Sequence, residues 1–462
     1  MIKNNLLFIL LILFAGCENN HPSSVKEVHH KPVTEYCQKS KKPDLEIYID
    51  LTGACTGKAT ILMIVQITPD SRPSYFIQIG KEEEYTVEDI KFYDKTGKRI
   101  NYQKDHRKYL LSAGDNKEIF IRYSVKPGGP GRHGRQGNIS DTFASFDGRI
   151  FILPDKNYKI NSAKIQFTVP DGWKIINPHR KEGNWYYPDS SGKDLIYDSL
   201  VKSPVACGPF SETKKRFGST DVYTYSCSEW PISYRKKITE KSFKLYEYFY
   251  KHTGFDPGFP YIICWTHLSY DREKVLGGIW SNGMCYEMEE DTLRNWELFA
   301  HRLGHAVNEY EPTGMAIRDR EDFWFTEGWA SYIEIESTSS VKFTDNVTGW
   351  EKIYDHYIRT LEKYPHYDYP LGKEYEVENP DSIEFIHYTK APLVMKMLDV
   401  EMKRSSGKTM DQFMKYACKK YGNFREVFPF KEELEKFSGT SFEYFYENII
   451  RKKGTVRPVW RN

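Results

Sequence analysis

His301 and His305 lie four residues apart in the run His301-Arg302-Leu303-Gly304-His305. On a helix this spacing puts both imidazoles on one face, where they can chelate a single metal ion. The position after the first histidine is where a carboxylate base would act on metal-bound water. Here that position is Arg302, which stays protonated at physiological pH and accepts no proton. The pentapeptide keeps the means of holding a metal and lacks the base.

A histidine pair in a chain with 13 His is equally compatible with two core or surface side chains, so the flanking residues carry the argument. Leu293, Trp296, Ala300 and Leu303 recur at three- and four-residue steps, which predicts a helix ending near Asn308, with Asp291 or Thr292 at its start. Glu297 and Glu309 fall one turn to either side of the pair and share its stripe. Either carboxylate could orient an imidazole, but neither projects from the position of Arg302. An ion pair between Arg302 and Glu297, Glu309 or Glu334 is the simplest expectation. A tetrahedral site with one open position needs a third ligand.

Downstream, Phe323-Trp324-Phe325-Thr326-Glu327-Gly328-Trp329-Ala330-Ser331-Tyr332 resembles a segment of the gluzincin metallopeptidases, of the membrane alanyl aminopeptidase and leukotriene A4 hydrolase group. The resemblance makes Glu327 the third zinc ligand, carried by the next helix. The spacer from His305 to Glu327 is about three residues longer than is usual there, which an insertion in the loop around Glu311 to Arg320 absorbs. Phe385-Ile386-His387-Tyr388-Thr389-Lys390-Ala391 is similar to the group's Tyr-x-Lys-Gly segment, with Ala391 in place of the glycine. It implies Tyr388 as the donor to a transition-state oxyanion. The stretch Lys436 to Phe445, followed by Gly454, is similar to the way such catalytic domains close, so the resemblance runs from about Phe243 to Pro458.

The chain departs from the group in two places. Loss of a general base typically costs roughly 100- to 10,000-fold in rate, so Arg302 predicts crippled hydrolysis by the usual route. The Gly-Ala-Met-Glu-Asn segment that grips a substrate amino terminus in the aminopeptidases corresponds to Gly277-Gly278-Ile279-Trp280-Ser281. Trp280 replaces the glutamate and Ser281 the asparagine, so the ammonium anchor is gone. The backbone of Gly277, Gly278, Trp280 and Ser281 can still receive an extended peptide by strand addition. It follows an edge-strand-like run, Tyr261 to Trp265.

These residues must be positioned by a larger frame. From about Leu45 to Pro209, segments such as Leu45–Leu51, Ile119–Val125 and Ile165–Pro170 alternate apolar with polar residues between Gly, Asp and Pro clusters. Helical periodicity dominates after Glu240, with final helices expected over Lys408–Tyr421 and Lys431–Arg451. The fold expected is α+β: an N-terminal β-sandwich domain, then a thermolysin-like peptidase domain with a mostly helical C-terminal lobe. The boundaries are residues 41–215 for the β domain, 216–340 for the zinc-site lobe and 341–462 for the helical lobe.

The N-terminus reads as a bacterial lipoprotein signal over residues 1–16. Lys3 precedes the apolar run Leu6–Phe14, and Ala15-Gly16-Cys17 resembles a lipobox, which implies lipidation at Cys17. Residues 17–40 then form a polar tether. A bacterial cell-envelope location follows, periplasmic or surface-exposed, with the membrane engaged through the lipid. The net charge of +2 gives no reason to invoke nucleic acid. Of the eight cysteines, Cys37 with Cys55, Cys207 with Cys227 and Cys264 with Cys285 are near in sequence, but spacing does not fix their connectivity. The expected function is that of a zinc-binding, peptidase-like protein that holds a peptide or protein ligand with weak or no cleavage. The rival is an active zinc peptidase with an unconventional base, and a zinc ion that merely braces the helices is a third reading.

Overall fold

The computed structural model describes residues 42–461 apart from 68–74, 83–84, 113–115, 128–136, 156–157, 189–194, 259, 267–282, 288–290, 309–323, 374–375 and 422–427. Cys17, the tether, Glu309 and the segment holding Gly277, Gly278, Trp280 and Ser281 therefore lie outside the described residues.

The first half is built on strands. Leu45–Asp50 sits in the middle of an eight-stranded sheet, parallel to Ala163–Thr168 on one side and antiparallel to Ala59–Gln66 on the other. The alternation in these strands is the period-2 pattern of a sheet with one buried face: Ile47, Ile61, Met63, Ile121 and Ile165 are buried in one core. Two four-stranded sheets close over it. One contains Phe76–Gln78 and Ile152–Pro154, the other Ala144–Phe146 and Val205–Gly208.

A further four-stranded sheet starts the second half, in the order Phe210–Phe217, Thr220–Cys227, Tyr261–Thr266, Gly283–Glu287. Its last three strands are parallel. Phe210–Phe217 straddles the boundary expected between residues 215 and 216 and pairs along its whole length with Thr220–Cys227. Tyr261–Thr266 is not the edge: it is paired on both sides, and Gly283–Glu287 ends the sheet among the described residues. All six of its residues are buried, which explains an unbroken apolar run in place of alternation.

The helices are α1 (Leu195–Lys202), α2 (Ile232–Thr253), α3 (Leu293–Asn308), α4 (Trp324–Ser340), α5 (Asn346–Lys363), α6 (Pro380–Phe385), α7 (Ala391–Ser406), α8 (Met410–Tyr421) and α9 (Phe430–Ser438). The chain is thus α+β, a β-rich N-terminal domain followed by a mostly helical region. The helix expected over Lys431–Arg451 is broken. Gly439 takes φ 74° as the C-cap of α9, a conformation open mainly to glycine, and a short helical turn and a π-helix (Tyr446–Ile450) follow. The second core is dominated by aromatics: Trp265, Trp296, Trp324, Trp329 and Trp350 are all fully buried. Phe143, Ile176 and Ala206 of the β-rich half join it, so the two halves share a packed interface.

Candidate metal centre

Helix α3 turns one face to this core through Trp296, Phe299, Ala300, Leu303, Ala306 and Val307, all with no exposed surface. That three- and four-residue spacing fixes the rotation of the helix. His301 and His305 then fall together on the side facing α4, both buried. Their Nε2 atoms lie 3.0 Å apart. Glu327, in the first turn of α4, brings its Oε2 to 3.4 Å from His301 Nε2 and 3.2 Å from His305 Nε2.

Three donor atoms from two helices thus converge on one point. A tetrahedral zinc ion with ordinary bond lengths keeps its ligand atoms about 3.3 Å apart, close to the spacings observed. The contacts of Glu327 Oε2 are not aligned as hydrogen bonds, and this buried oxygen has no hydrogen-bond donor among the described residues. A buried acceptor in that state is costly unless something else satisfies it. The imidazole–imidazole–carboxylate set fits zinc on chemistry and on geometry. Burial pushes the Glu327 carboxyl up, but the two imidazoles outweigh burial and hold it well below the usual carboxylate range. It is present as the anion that a cation needs.

The far edge of His301 is also held. Its Nδ1 lies 3.3 Å from Glu334 Oε2 and 3.4 Å from Ser331 Oγ. A carboxylate there favours the proton on Nδ1, which leaves the Nε2 lone pair for a metal. Glu327, Ser331 and Glu334 follow each other at four and three residues along α4, so one stripe supplies a ligand and two groups that position another. The sequence reading considered Glu334 only as a partner for Arg302. Its spacing of two turns from Glu327 was the available signal for this role.

The expected ion pair of Arg302 is not formed among the described residues. Glu334 is turned to His301. Burial raises the Glu297 carboxyl, and the charges acting on it are Glu334, Arg294 and Lys352. Arg302 itself is half-buried, and its Nε is buried with no hydrogen-bond partner among the described residues.

Tyr388 comes to the site from the π-helix Ile386–Lys390, wedged between α6 and α7. Its ring centroid stands 5.9 Å from that of His301, and it is 45% exposed. π-Helical turns are rare and recur at functional sites, because the extra residue re-aims the side chains around it. Two positions after Tyr388, the fully buried Lys390 ammonium meets Asp368 Oδ1 at 2.5 Å and the carbonyl of Tyr369 at 2.5 Å. Asp368 Oδ2 accepts the backbone N–H of Gly454. This buried pair, which sequence reasoning missed, ties the turn bearing Tyr388 to the end of the chain.

Residues 81–209 match the Peptidase M61 N-terminal domain. No curated protein sequence matches the chain. Among solved structures, an aminopeptidase N family protein from Idiomarina loihiensis is similar at TM-score 0.72 and 13% identity, over 90% of this chain and 77% of that one. An M1 zinc metallopeptidase from Deinococcus radiodurans, solved as a mutant bound to a Tyr-Ser-Ala substrate, is similar at TM-score 0.54 and 14% identity, over 90% of this chain and 94% of that one. At such identities the likeness is one of fold.

Proposed function

We propose that this chain is a zinc-binding protein of the metallopeptidase fold that holds peptide in its groove and cleaves it weakly or not at all. His301, His305 and Glu327 would hold the ion, which when bound supplies a Lewis acid and lowers the pKa of a bound water. Glu334 and Ser331 keep the His301 ring in orientation. Tyr388 offers a hydroxyl beside His301. The membrane alanyl aminopeptidase group offers a motif-level parallel, through Glu327 and the Tyr388 segment. The Cys17 motif supports a lipid-anchored, cell-envelope location.

One observation carries the reading: the residue next to His301 that would accept a proton is Arg302, a permanent cation. No described carboxylate stands in for it. Glu334, the nearest alternative, lies against Nδ1 of His301, on the opposite edge of the ring from Nε2.

Zinc content and peptide hydrolysis, measured for wild type, Arg302→Glu and Glu327→Ala, test this. The expected result is near-stoichiometric zinc in wild type and Arg302→Glu, loss of zinc in Glu327→Ala, and hydrolysis rising only in Arg302→Glu. Brisk wild-type hydrolysis that disappears in Glu327→Ala would establish the rival, an active peptidase with an unconventional base.

A further inference from the structure

Arg302 poses a problem of charge. It sits about 100° around α3 from His301 and about 60° from His305, on the flank of the donor cluster. Its Nε is buried and has no partner among the described residues. Among the described residues, three carboxylates of α4, the helix packed against α3, are directed at other groups. Glu327 faces both imidazoles, and Glu334 faces His301 Nδ1. Glu336, two residues on, accepts from the Trp350 indole and pairs with Lys396 at 2.8 Å. A guanidinium partly withdrawn from water without an anion is unfavourable, and a divalent cation beside it would make it more so.

From this we infer that Arg302 is an anion receptor, and that the ligand of the groove presents a carboxylate to it. The inference rests on the peptide-binding reading above and names the group by which the peptide is held. A planar carboxylate suits the guanidinium fork in bidentate fashion, and it brings negative charge to a guanidinium whose Nε has no partner among the described residues. Tyr388, itself partly exposed, stands beside the neighbouring His301. The substitution that removed a proton acceptor thus put a grip in its place. The carboxylate could be a free C-terminus or an acidic side chain.

The test is direct binding, by calorimetry, of N-acetylated tetra-alanine as its free acid and as its C-terminal amide, to the full chain with zinc added. A third probe is the amidated peptide carrying one aspartate. The free acid is expected to bind about 10- to 100-fold more tightly than the amide, as a charge-assisted bidentate contact implies. Tight binding of the aspartate peptide alone would place the source in a side chain. Arg302→Gln should abolish the preference and Arg302→Lys should keep part of it, with zinc content unchanged in both. Equal affinity of wild type for acid and amide overturns the receptor while leaving the peptide groove intact. Binding of none of the probes overturns both. A preference that survives in Arg302→Gln assigns it to another group and overturns the role of Arg302.

Discussion

Gly304 of α3 lies so close to Ala330 of α4 that a Cβ on the glycine would stand 2.9 Å from the Ala330 Cα and 2.9 Å from Ile333 Cγ2. The two helices carrying the metal ligands approach closely here, next to His305 on one and about one turn past Glu327 on the other. Gly304→Ala must therefore push them apart, since the nearest obstacle is main chain. The expected outcome is a loss of roughly 1–3 kcal/mol of stability together with a measurable fall in zinc affinity. Zinc titration alongside urea unfolding checks both; an unchanged zinc affinity would show that the spacing at this point does not set the site.

Glu334 touches no donor atom of the cluster, yet it holds the ring that provides one. Glu334→Gln is predicted to weaken zinc binding about 10- to 100-fold, the usual cost of losing a carboxylate behind a ligating imidazole. Competition with a chromophoric chelator reads this directly. The fold should persist, because the glutamine keeps the volume.

Lys390 and Asp368 form a buried ion pair at 2.5 Å, with the side chains 0% and 7% exposed. Removing one partner leaves the other charged and buried, so Lys390→Met is predicted to cost about 3–5 kcal/mol. The double variant Lys390→Met with Asp368→Leu should recover much of that loss. A double-mutant cycle by chemical denaturation separates the pair's coupling from the packing of either side chain.

His179 in the β-rich half gives a pH signature independent of the metal centre. Burial lowers its imidazole from the ordinary 6.5 to about 3, and its Nδ1 has no hydrogen-bond partner among the described residues. The folded chain therefore takes up this proton less readily than the unfolded chain. Its stabilising share is complete above pH 6.5 and declines as the pH falls toward 3, with a slope of up to about 1.4 kcal/mol per pH unit. Urea midpoints of wild type and His179→Gln across that range should converge on acidification.

The sequence alone was enough to propose His301, His305 and Glu327 as a set, because helical spacing makes the first two neighbours and a motif supplied the third. It also identified Arg302 as the missing base. It did not reveal the partner of Glu334, because which groups meet across α3 and α4 depends on a helix contact made at Gly304. The Lys390–Asp368 pair was equally hidden, since its partners are 22 residues apart and meet only when the chain end folds back. The lone run Tyr261–Trp265 read as an edge because nothing in a strand's own residues says which strands flank it.

What the sequence determined by itself is local and periodic: a histidine pair on a helix, alternating strands, a cation where a base belongs. Tertiary structure decided the rest. It alone set three ligand atoms 3.0 to 3.4 Å apart, turned Glu334 to the back of His301 and left the Arg302 Nε without a described partner. The physical reason is that donor geometry and charge balance are sums over elements distant in sequence, fixed only once their cores have packed.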